Sequence, residues 1–416
     1  MPPLRRLLLT AFEPFGGLAV NPSWEAVRAL DGEVWGRVLV RAVCLPVSYD
    51  RAPARLREEI ETFRPAAVVM FGVAQNRREI SLERQAANRC DASTRDNDGA
   101  SRSGPIDPAG PANRESTLPL DRVKAALDRL GVPAGWSEDA GGYLCNRVFW
   151  EARSVFPGPA GFIHVPGFEA IPLAKLIPAV RAAAEAVAFE DVRLAAAQFA
   201  PVPGDVAANV RTIEEMSRRA SGARLVLFPE LATTGIAIPS AAVAARLAEP
   251  FGGPTHERLQ AVARETGTAI GWGFVERSGR ALYNSAAVVW PAADPILYRK
   301  RRLYGHDFNW ACEGEGGGPY DTPLGRLGIA ICHDVVYSDI AAEGHDCDLV
   351  LMPTNWIGDD GPAACLRAFQ APVLASDRTG EEDEIPFLGR GGLYNSDAKA
   401  SGGNDLMVFG WKRVAI

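Results

Sequence analysis

A chain of 416 residues has room for two or three domains at roughly 100–200 residues each. Hydrophobic residues make up 47% of the chain and charged residues 23%, which is the balance of an ordinary globular enzyme. The formal net charge of −7 argues against nucleic acid or an anionic membrane as a partner. We therefore expect a globular protein without either partner.

Cysteine usage indicates a reducing compartment. The chain has seven cysteines, an odd number, and no Cys-X-X-Cys pair, so a disulfide framework is not expected. The apolar run Leu7–Leu9 is too short for a signal peptide and predicts a first buried strand instead. No apolar stretch approaches the ~20 residues that span a bilayer. These features predict a cytoplasmic protein.

The first half alternates segments typical of strands and of helices. Strands are predicted at Leu4–Ala11, Val38–Leu45, Ala66–Phe71 and Gly161–Val165, and helices at Pro53–Phe63, Leu120–Leu130, Asn146–Phe156 and Leu173–Val187. This alternation predicts an α/β domain with three layers and a mostly parallel sheet covered on both faces. The polar, glycine-rich stretch 89–115 is predicted to be a long loop.

The pattern restarts near Phe189 without a flexible linker, which places the predicted domains at 1–188 and 189–416. In the second domain strands are predicted at Val192–Phe199, Leu225–Phe228, Ala269–Phe274, Asn284–Val289, Leu327–Ile331 and Leu349–Met352, and helices at Val206–Ala220 and Pro254–Thr266. The two halves share no internal repeat.

Cys145 is the candidate nucleophile of the first half. It precedes a predicted helix, whose dipole would lower the pKa of the thiol. His164 lies on a predicted strand and Glu83 lies in a separate segment, so a base and an orienting acid are available. Taken one at a time, these residues are more often structural, because a free cysteine is usually a small buried hydrophobe.

Five motifs in the first half support the catalytic interpretation. They are Thr10–Gly17 followed by Asn21–Ser23, Ser81–Arg84 with Asn88, Asp91–Ala92 with Asp96–Gly99, Tyr143–Asn146, and Phe162–Pro166. In type and order these motifs resemble pyroglutamyl peptidase I across residues 4 to about 187. That family removes N-terminal pyroglutamate from peptides with a Cys-His-Glu triad.

The resemblance implies that Cys145 attacks the carbonyl, His164 moves the proton and Glu83 orients the histidine. It also implies that Phe12, Phe15 and Tyr143 contact the substrate, since a flat five-membered ring suits aromatic walls.

Two positions depart from the family pattern. Ser93 stands where the family usually has an arginine that supports the oxyanion, and Thr94 stands where an apolar pocket residue is usual. Arg95 lies close by. Either Arg95 or backbone amides stabilise the oxyanion, or the domain is slow or altered in substrate, since losing one donor costs roughly 10²–10³ in rate.

Cys332 is the candidate nucleophile of the second half. It follows the predicted strand Leu327–Ile331 and precedes a predicted helix, a junction that presents a side chain outward beside backbone N–H groups. Glu230 ends another strand, and Lys300 lies in a basic run. A thiol, a carboxylate and an ammonium suit acyl transfer, although Glu230 could also cap a helix and basic runs are usually solvated.

Further motifs favour the catalytic interpretation here as well. They are Ala197–Pro201, Phe228–Leu231 with Thr234–Gly235, Tyr298–Lys300, Gly328–Asp334, Pro353–Trp356 and Arg378–Gly380. Together they resemble the nitrilase, or carbon–nitrogen hydrolase, superfamily from about residue 192 to the end. The resemblance implies an αββα sandwich, a Glu230-Lys300-Cys332 triad, and hydrolysis of a small non-peptide amide or carbamoyl C–N bond.

This half also departs from its superfamily. A second glutamate often follows the lysine by about a dozen residues, and here either Asp307 or Glu313 would fill that role. The stretch from Trp356 to Arg367 is short, and the glycine- and aspartate-rich stretch Asn395–Asp405 is predicted to be irregular.

The sequence thus predicts a bifunctional cysteine hydrolase that acts on pyroglutamyl peptides and on a small amide, forms a homo-oligomer and needs no cofactor. His-Asp pairs begin at His306, His333 and His345, but their spacings match no zinc signature, so no metal site is expected. The alternative is that one domain, the second more than the first, has lost catalysis and serves as a binding or oligomerisation module.

Overall fold

The fold is described from a computed structural model, which covers residues 4–91, 94–344, 346–357, 369–394 and 405–415. The chain divides into two compact units. The first unit comprises residues 4–190 with 414–415, and the second unit comprises Asp191–Arg413.

The first unit is built on one main mixed sheet, one two-stranded sheet and five helices among its described residues. Its strands are β1 (Arg5–Phe12), β2 (Val34–Trp35), β3 (Val38–Leu45), β4 (Ala67–Val73), β5 (Ile80–Glu83), β6 (Gln85–Ala87), β7 (Asn113–Glu115), β8 (Ala134–Ser137) and β9 (Ala160–Val165). Its helices are α1 (Pro22–Arg28), α2 (Arg51–Phe63), α3 (Leu120–Arg129), α4 (Leu144–Val155) and α5 (Leu173–Ala188).

The main sheet has the strand order β2-β3-β1-β4-β9-β5-β8. The pairs β1–β3, β1–β4, β4–β9 and β5–β8 are parallel, whereas β2–β3 and β5–β9 are antiparallel. Apolar residues of α1, α3 and α5 cover one face, and those of α2 and α4 cover the other. The predicted three-layer α/β fold with a mostly parallel sheet is confirmed.

Helix α1 was not predicted, although its start signal is in the sequence. Asn21 caps the helix because its side chain accepts from the Ser23 backbone N–H at 3.0 Å, and Pro22 occupies the first turn. The predicted helix 146–156 in fact begins at Leu144, so Cys145 lies inside its first turn.

Among its described residues, the second unit contains two main sheets and one two-stranded sheet. Its strands are β10 (Phe189–Ala197), β11 (Leu225–Leu227), β12 (Ala269–Ser278), β13 (Ala281–Val289), β14 (Ile296–Arg299), β15 (Tyr320–Thr322), β16 (Gly325–Ile329), β17 (Leu349–Thr354), β18 (Val373–Asp377), β19 (Thr379–Glu382), β20 (Ile385–Leu388), β21 (Gly392–Tyr394) and β22 (Leu406–Val414). Its helices are α6 (Val206–Arg219), α7 (Ala241–Leu247), α8 (Pro254–Thr266) and α9 (Ser338–Gly344), with 3-10 turns at Gly305–Asn309 and Cys332–Val336.

The two sheets have the orders β14-β13-β12-β11-β10-β22 and β15-β16-β17-β18-β21. Leucine, isoleucine and valine side chains of both sheets form one core between them. Helices α6 and α8 pack on the outer face of the first sheet, and α9 packs on the outer face of the second. This arrangement is the αββα sandwich that the sequence resemblance implied.

Parts of the predicted C-terminal region, including most of 356–367 and 395–405, lie outside the described residues. Within the residues that are described, no helix combines the length and apolar character that a membrane crossing requires.

Candidate active sites

Glu83 and His164 form the rigid part of the first site. Glu83 ends β5 and His164 lies in the adjacent strand β9, where it pairs with Ser81. His164 Nδ1 and Glu83 Oε1 are 2.7 Å apart, and both side chains are buried. A carboxylate only accepts, so Nδ1 carries the proton and donates it, which leaves Nε2 as the free basic nitrogen.

Arg77 completes this pair, and nothing in the sequence marks it as a site residue. Its Nη1 donates to Glu83 Oε1 at 2.6 Å, and its Nη2 donates to the Asp139 carbonyl at 3.0 Å. The guanidinium compensates the charge of a fully buried carboxylate. An arginine in a turn is ordinarily solvated, and only the fold brings this one against Glu83.

Cys145 approaches the same strands from helix α4. A Cβ added at Gly72 would lie 2.8 Å from Cys145 Sγ and 2.7 Å from the Phe162 ring, so the thiol rests directly on this glycine. Gly72 of β4 pairs with His164 of β9. The thiol therefore lies on the strand that neighbours the histidine, and the glycine provides the space that it occupies.

The protonation state of this thiol differs from the prediction. Burial, together with the negative charge of Glu83, raises the pKa of Cys145 to about 12, although its own backbone N–H and Arg77 act in the opposite direction. The expected lowering by the helix dipole was wrong, because desolvation of the thiolate outweighs it. Burial also lowers the pKa of His164. The resting pair is a neutral thiol beside a neutral imidazole.

The three predicted substrate-contacting aromatics occupy different environments. Tyr143 immediately precedes α4, and its ring lies 6.1 Å from that of Phe15 and 5.6 Å from that of Tyr49. Phe15 is half-buried, so Phe15 and Tyr143 form one partly open aromatic group. Phe12 instead belongs to the core between the sheet and helices α2 and α4.

Polar residues of the family-like motifs hold the segment around Phe15 in place. Glu13 Oε1 accepts from the Val47 N–H at 2.9 Å and from Asn97 Nδ2 at 3.0 Å. Asn97 Nδ2 also donates to the Pro14 carbonyl at 3.1 Å. These bonds give Glu13 and Asn97 a structural role, because they fix the segment that carries Phe15.

Arg95, which follows the two positions that depart from the family pattern, contacts Tyr143. Ser93 is outside the described residues, and Thr94 is exposed. Arg95 Nη1 donates to the Gly99 carbonyl at 2.7 Å, and the Arg95 carbonyl accepts from the Tyr143 hydroxyl at 2.9 Å. This bond uses one of the five N–H groups of the Arg95 guanidinium, so both Arg95 and backbone amides stay candidates for the oxyanion donor.

Lys300 is the centre of the second site. Its Nζ donates to Glu230 Oε1 and to Asp307 Oδ2, both at 2.6 Å. Asn284 Nδ2 bridges the same two carboxylates, at 2.8 Å from Glu230 Oε1 and 3.0 Å from Asp307 Oδ1. All four side chains are buried, so the ion pairs act in a medium of low polarity.

This geometry decides between the two candidates for the second acidic residue. Asp307 lies in the 3-10 turn Gly305–Asn309 and bonds Lys300, whereas Glu313 is exposed. Sequence spacing alone left both candidates open, because it does not show that the 3-10 turn brings the Asp307 carboxylate back to Lys300.

Cys332 lies at a strained turn after β16. Its φ of +44° falls in the left-handed region, which a residue with a side chain rarely adopts. The residue begins the 3-10 turn Cys332–Val336 and is 8% exposed. The turn ends the strand abruptly and directs the thiol out of the ladder, as the strand–turn junction in the sequence predicted.

Asp334 fixes this turn to the segment that carries Lys300, a role that sequence reasoning did not assign. Its Oδ2 accepts from the Tyr298 hydroxyl at 2.9 Å and from the Ile331 N–H at 3.0 Å. Its Oδ1 accepts from the N–H groups of Arg301 at 3.1 Å and Arg302 at 2.8 Å. One carboxylate therefore sets the spacing between the lysine and the thiol.

Burial and neighbouring charges have opposing effects on the pKa values of Cys332 and Lys300. Burial and the charge of Glu230 raise the pKa of Cys332, while Lys300, the Thr354 hydroxyl and the Asn355 N–H act to lower it. Burial acts to lower the pKa of Lys300, but the charges of Glu230 and Asp307 outweigh it and raise the pKa. The lysine is an ammonium, and the thiol needs a base before it can attack.

The histidines of the second unit have other partners. The His333 ring stacks 4.7 Å from that of Tyr304, and His306 Nε2 lies 3.0 Å from Asp383 Oδ2. His345 lies outside the described residues. Among the residues that can be described, no group of three His, Cys, Asp or Glu side chains could hold a metal ion.

The two clusters are each centred on a thiol, and comparison with known proteins finds a hydrolase family model that matches each half. The pyroglutamyl peptidase family model matches residues 5–196, and the carbon-nitrogen hydrolase model matches residues 193–358. The resemblances read from the sequence motifs are confirmed on both halves.

Curated relatives of the first half are pyrrolidone-carboxylate peptidases. The protein from Cupriavidus necator is 43% identical over 173 residues, which cover 39% of this chain and 79% of the relative. That from Pyrococcus furiosus is 38% identical over 167 residues, covering 39% and 80%. The chain belongs to the pyroglutamyl peptidase family. The crystal structure of pyroglutamyl peptidase I from Bacillus amyloliquefaciens is 32% identical, with a TM-score of 0.42, over 44% of this chain and 95% of that one.

Proposed function

We propose that the chain is a bifunctional amide hydrolase in which the first site releases N-terminal pyroglutamate from peptides. The observation that carries this proposal is the buried Glu83–His164 bond beside a thiol resting on Gly72, within a chain of the pyroglutamyl peptidase family. The proposed site residues are Cys145, His164 and Glu83, with Phe15 and Tyr143 against the substrate and Phe12 behind them.

The geometry supports a general-base mechanism at this site. His164 Nε2 takes the thiol proton as Sγ attacks the carbonyl carbon that joins the pyroglutamyl residue to the peptide. Glu83 and Arg77 hold the imidazole and balance its positive charge. The imidazolium then protonates the leaving amine, and water hydrolyses the thioester with the same histidine as base.

For the second site we propose hydrolysis of a small non-peptide amide or carbamoyl C–N bond. Glu230 takes the proton of Cys332 Sγ, and the thiolate attacks the carbonyl carbon. Lys300, held by two carboxylates, offers its ammonium to the developing oxyanion. Glu230 then returns the proton to the departing nitrogen, and water releases the acid.

Two single variants test both activities. We expect Cys145→Ala to abolish cleavage of a fluorogenic pyroglutamyl amide and to leave ammonia release from small amides unchanged. We expect Cys332→Ala to do the reverse. Pyroglutamyl cleavage that survives in Cys145→Ala would contradict the first assignment. If no amide in a broad panel gives ammonia that depends on Cys332, the second unit is a binding module.

A further inference from the structure

Among the described residues of the second unit, the buried side chains of Asn355 and Arg378 each have two polar atoms without a hydrogen-bond partner. Asn355 is 3% exposed and Arg378 is 1% exposed. Within the described part of the chain, neither Nδ2 nor Oδ1 of Asn355, and neither Nε nor Nη2 of Arg378, has a hydrogen-bond partner. Buried donors and acceptors are nearly always paired in folded proteins, so this concentration of unpaired atoms points to a ligand.

Strand register places these two residues side by side. Thr354 and Asp377 pair at the ends of β17 and β18, so the next residues along each strand, Asn355 and Arg378, are neighbours. The alternation of side chains also puts them on the same face. Leu351 and Leu374 belong to the core between the sheets, and Asn355 and Arg378 each lie four residues further along.

This face is the one that carries the second site. Tyr298 of β14 also belongs to the core between the sheets, and Lys300 follows it by two residues. The backbone N–H of Asn355 lies near the thiol of Cys332. By this register the unpaired atoms of Asn355 and Arg378 lie on the inner side of the sandwich, and Asn355 contacts the nucleophile through its backbone N–H.

The surroundings of Arg378 leave one edge of its guanidinium available. Nη1 donates to Glu382, whose Oε1 accepts in turn from the N–H groups of Ile236 at 3.0 Å and Ala237 at 2.8 Å. The Phe387 ring covers one face of the guanidinium, with its centroid 4.4 Å from Cζ. The remaining edge consists of Nε and Nη2, whose N–H groups point in parallel and match the two oxygens of a carboxylate.

We propose that Arg378 and Asn355 form a subsite for a carboxylate, and that the second site acts on a small amide bearing a carboxylate group. Arg378 receives the two oxygens on its Nε–Nη2 edge, and Asn355 Nδ2 supplies a third donor. Glu382 and Phe387 fix the guanidinium plane, so little side-chain freedom is lost on binding. This inference rests on the proposed amide hydrolysis and specifies its substrate class.

Binding to the full-length Cys332→Ala protein tests the subsite without any need for turnover. The probes are glutaramate, which has an amide and a carboxylate, and pentanamide, which has the same chain length and no carboxylate. By calorimetry we expect glutaramate to bind at least about tenfold more tightly than pentanamide, as two hydrogen bonds to a charged group imply. Equal affinities would overturn the proposal.

Further variants in the Cys332→Ala background locate the effect. Arg378→Lys removes the paired edge, and Asn355→Asp places a negative charge beside the carboxylate. We expect each to weaken glutaramate binding about tenfold or more and to leave pentanamide binding unchanged. Arg218→Lys, an exposed arginine paired with Glu265 on the same unit, is the matched control and should change neither.

The outcomes separate this inference from the proposed function. If Arg378→Lys and Asn355→Asp bind both probes as the parent does, Arg378 only holds the Glu382 segment and the subsite is wrong. If the unmodified chain hydrolyses no amide but glutaramate binding still depends on Arg378, the hydrolysis is wrong and the subsite stands. Should Arg378→Lys fail to fold, Asn355→Asp decides, because the Asn355 side chain makes no hydrogen bond within the described part of the chain.

Discussion

The two units differ in the charges that surround their candidate nucleophilic thiols. In the first, thiol and imidazole are neutral at rest, and one buried carboxylate is balanced by Arg77. In the second, Lys300 lies permanently between Glu230 and Asp307. The first site separates charge only when it reacts, whereas the second stores a charged cluster whose members depend on one another. Substitutions should therefore affect the two sites differently.

The largest contrast is expected on removing the cation of the second site. Lys300→Met leaves two buried carboxylates, Glu230 and Asp307, without their ammonium, and breaking such a pair costs about 3–5 kcal/mol of unfolding free energy. We also expect amide hydrolysis to fall by at least about 10²–10³. His164→Asn at the first site should abolish peptidase activity with a much smaller loss of stability. Thermal unfolding with both assays measures the contrast, and equal stability losses would contradict it.

Each site has a strand glycine packed against one of its proposed catalytic residues. Replacing either glycine should reduce the activity of that site alone. Gly72→Ala would bring a methyl group to 2.8 Å from Cys145 Sγ, and Gly273→Ala would bring one to 2.4 Å from the Leu231 nitrogen, beside Glu230. A displacement of about 1 Å can cost about 10²-fold in rate. We expect Gly72→Ala to lose only peptidase activity and Gly273→Ala only amide hydrolysis.

Measuring kcat for both reactions in both variants checks this expectation. A Gly72→Ala protein with full peptidase activity would show that Cys145 Sγ does not rest on this glycine during the reaction.

The charged cluster makes a more specific prediction about its second carboxylate. Asp307→Asn removes a charge-assisted bond to Lys300, which is worth about 1.5–3 kcal/mol, so amide hydrolysis should fall roughly 10–100-fold. Glu313→Gln is the matched control, since Glu313 is exposed, and its rate should be unchanged. A loss in Glu313→Gln with none in Asp307→Asn would reverse the assignment.

The smallest expected difference between the two sites is in the pH dependence of their activities. His164 must be neutral to accept the thiol proton, and burial lowers its pKa below 6.5. Peptidase activity should therefore persist as the pH falls to 6.5. It should decline about tenfold per pH unit only below the lowered pKa, where the imidazole is protonated. The proposed amide hydrolysis does not involve His164, so it should not follow the titration of that residue. Identical acid limbs in the two kcat/KM profiles would argue against His164 as the base.

Much of this could be predicted from local sequence. The run of strands and helices around Cys145 and His164 indicated the parallel α/β sheet, and the strand before Cys332 indicated the turn that presents it. Local patterns succeed there because burial imposes a period of two on strands and about 3.6 on helices. Ordered motifs likewise identified the six proposed catalytic residues, although each residue alone was ambiguous.

Other features depended on residues distant in the chain. Arg77 and Asp334 contribute through contacts that no spacing rule describes, and the choice of Asp307 over Glu313 required the 3-10 turn between them and Lys300. The pKa of Cys145 was predicted in the wrong direction, because a helix dipole can be read from sequence whereas desolvation cannot.

By itself, then, the sequence determined the two family resemblances, the two candidate nucleophiles and the elements that carry them, since these follow from motif order and hydrophobic period. Only the tertiary structure decided how each thiol is activated and which side chains remain unpaired beside Cys332. Electrostatic interactions and desolvation depend on distances between segments that are far apart in the chain. In this protein such distances place one cysteine beside a neutral imidazole and the other beside a permanently charged lysine cluster.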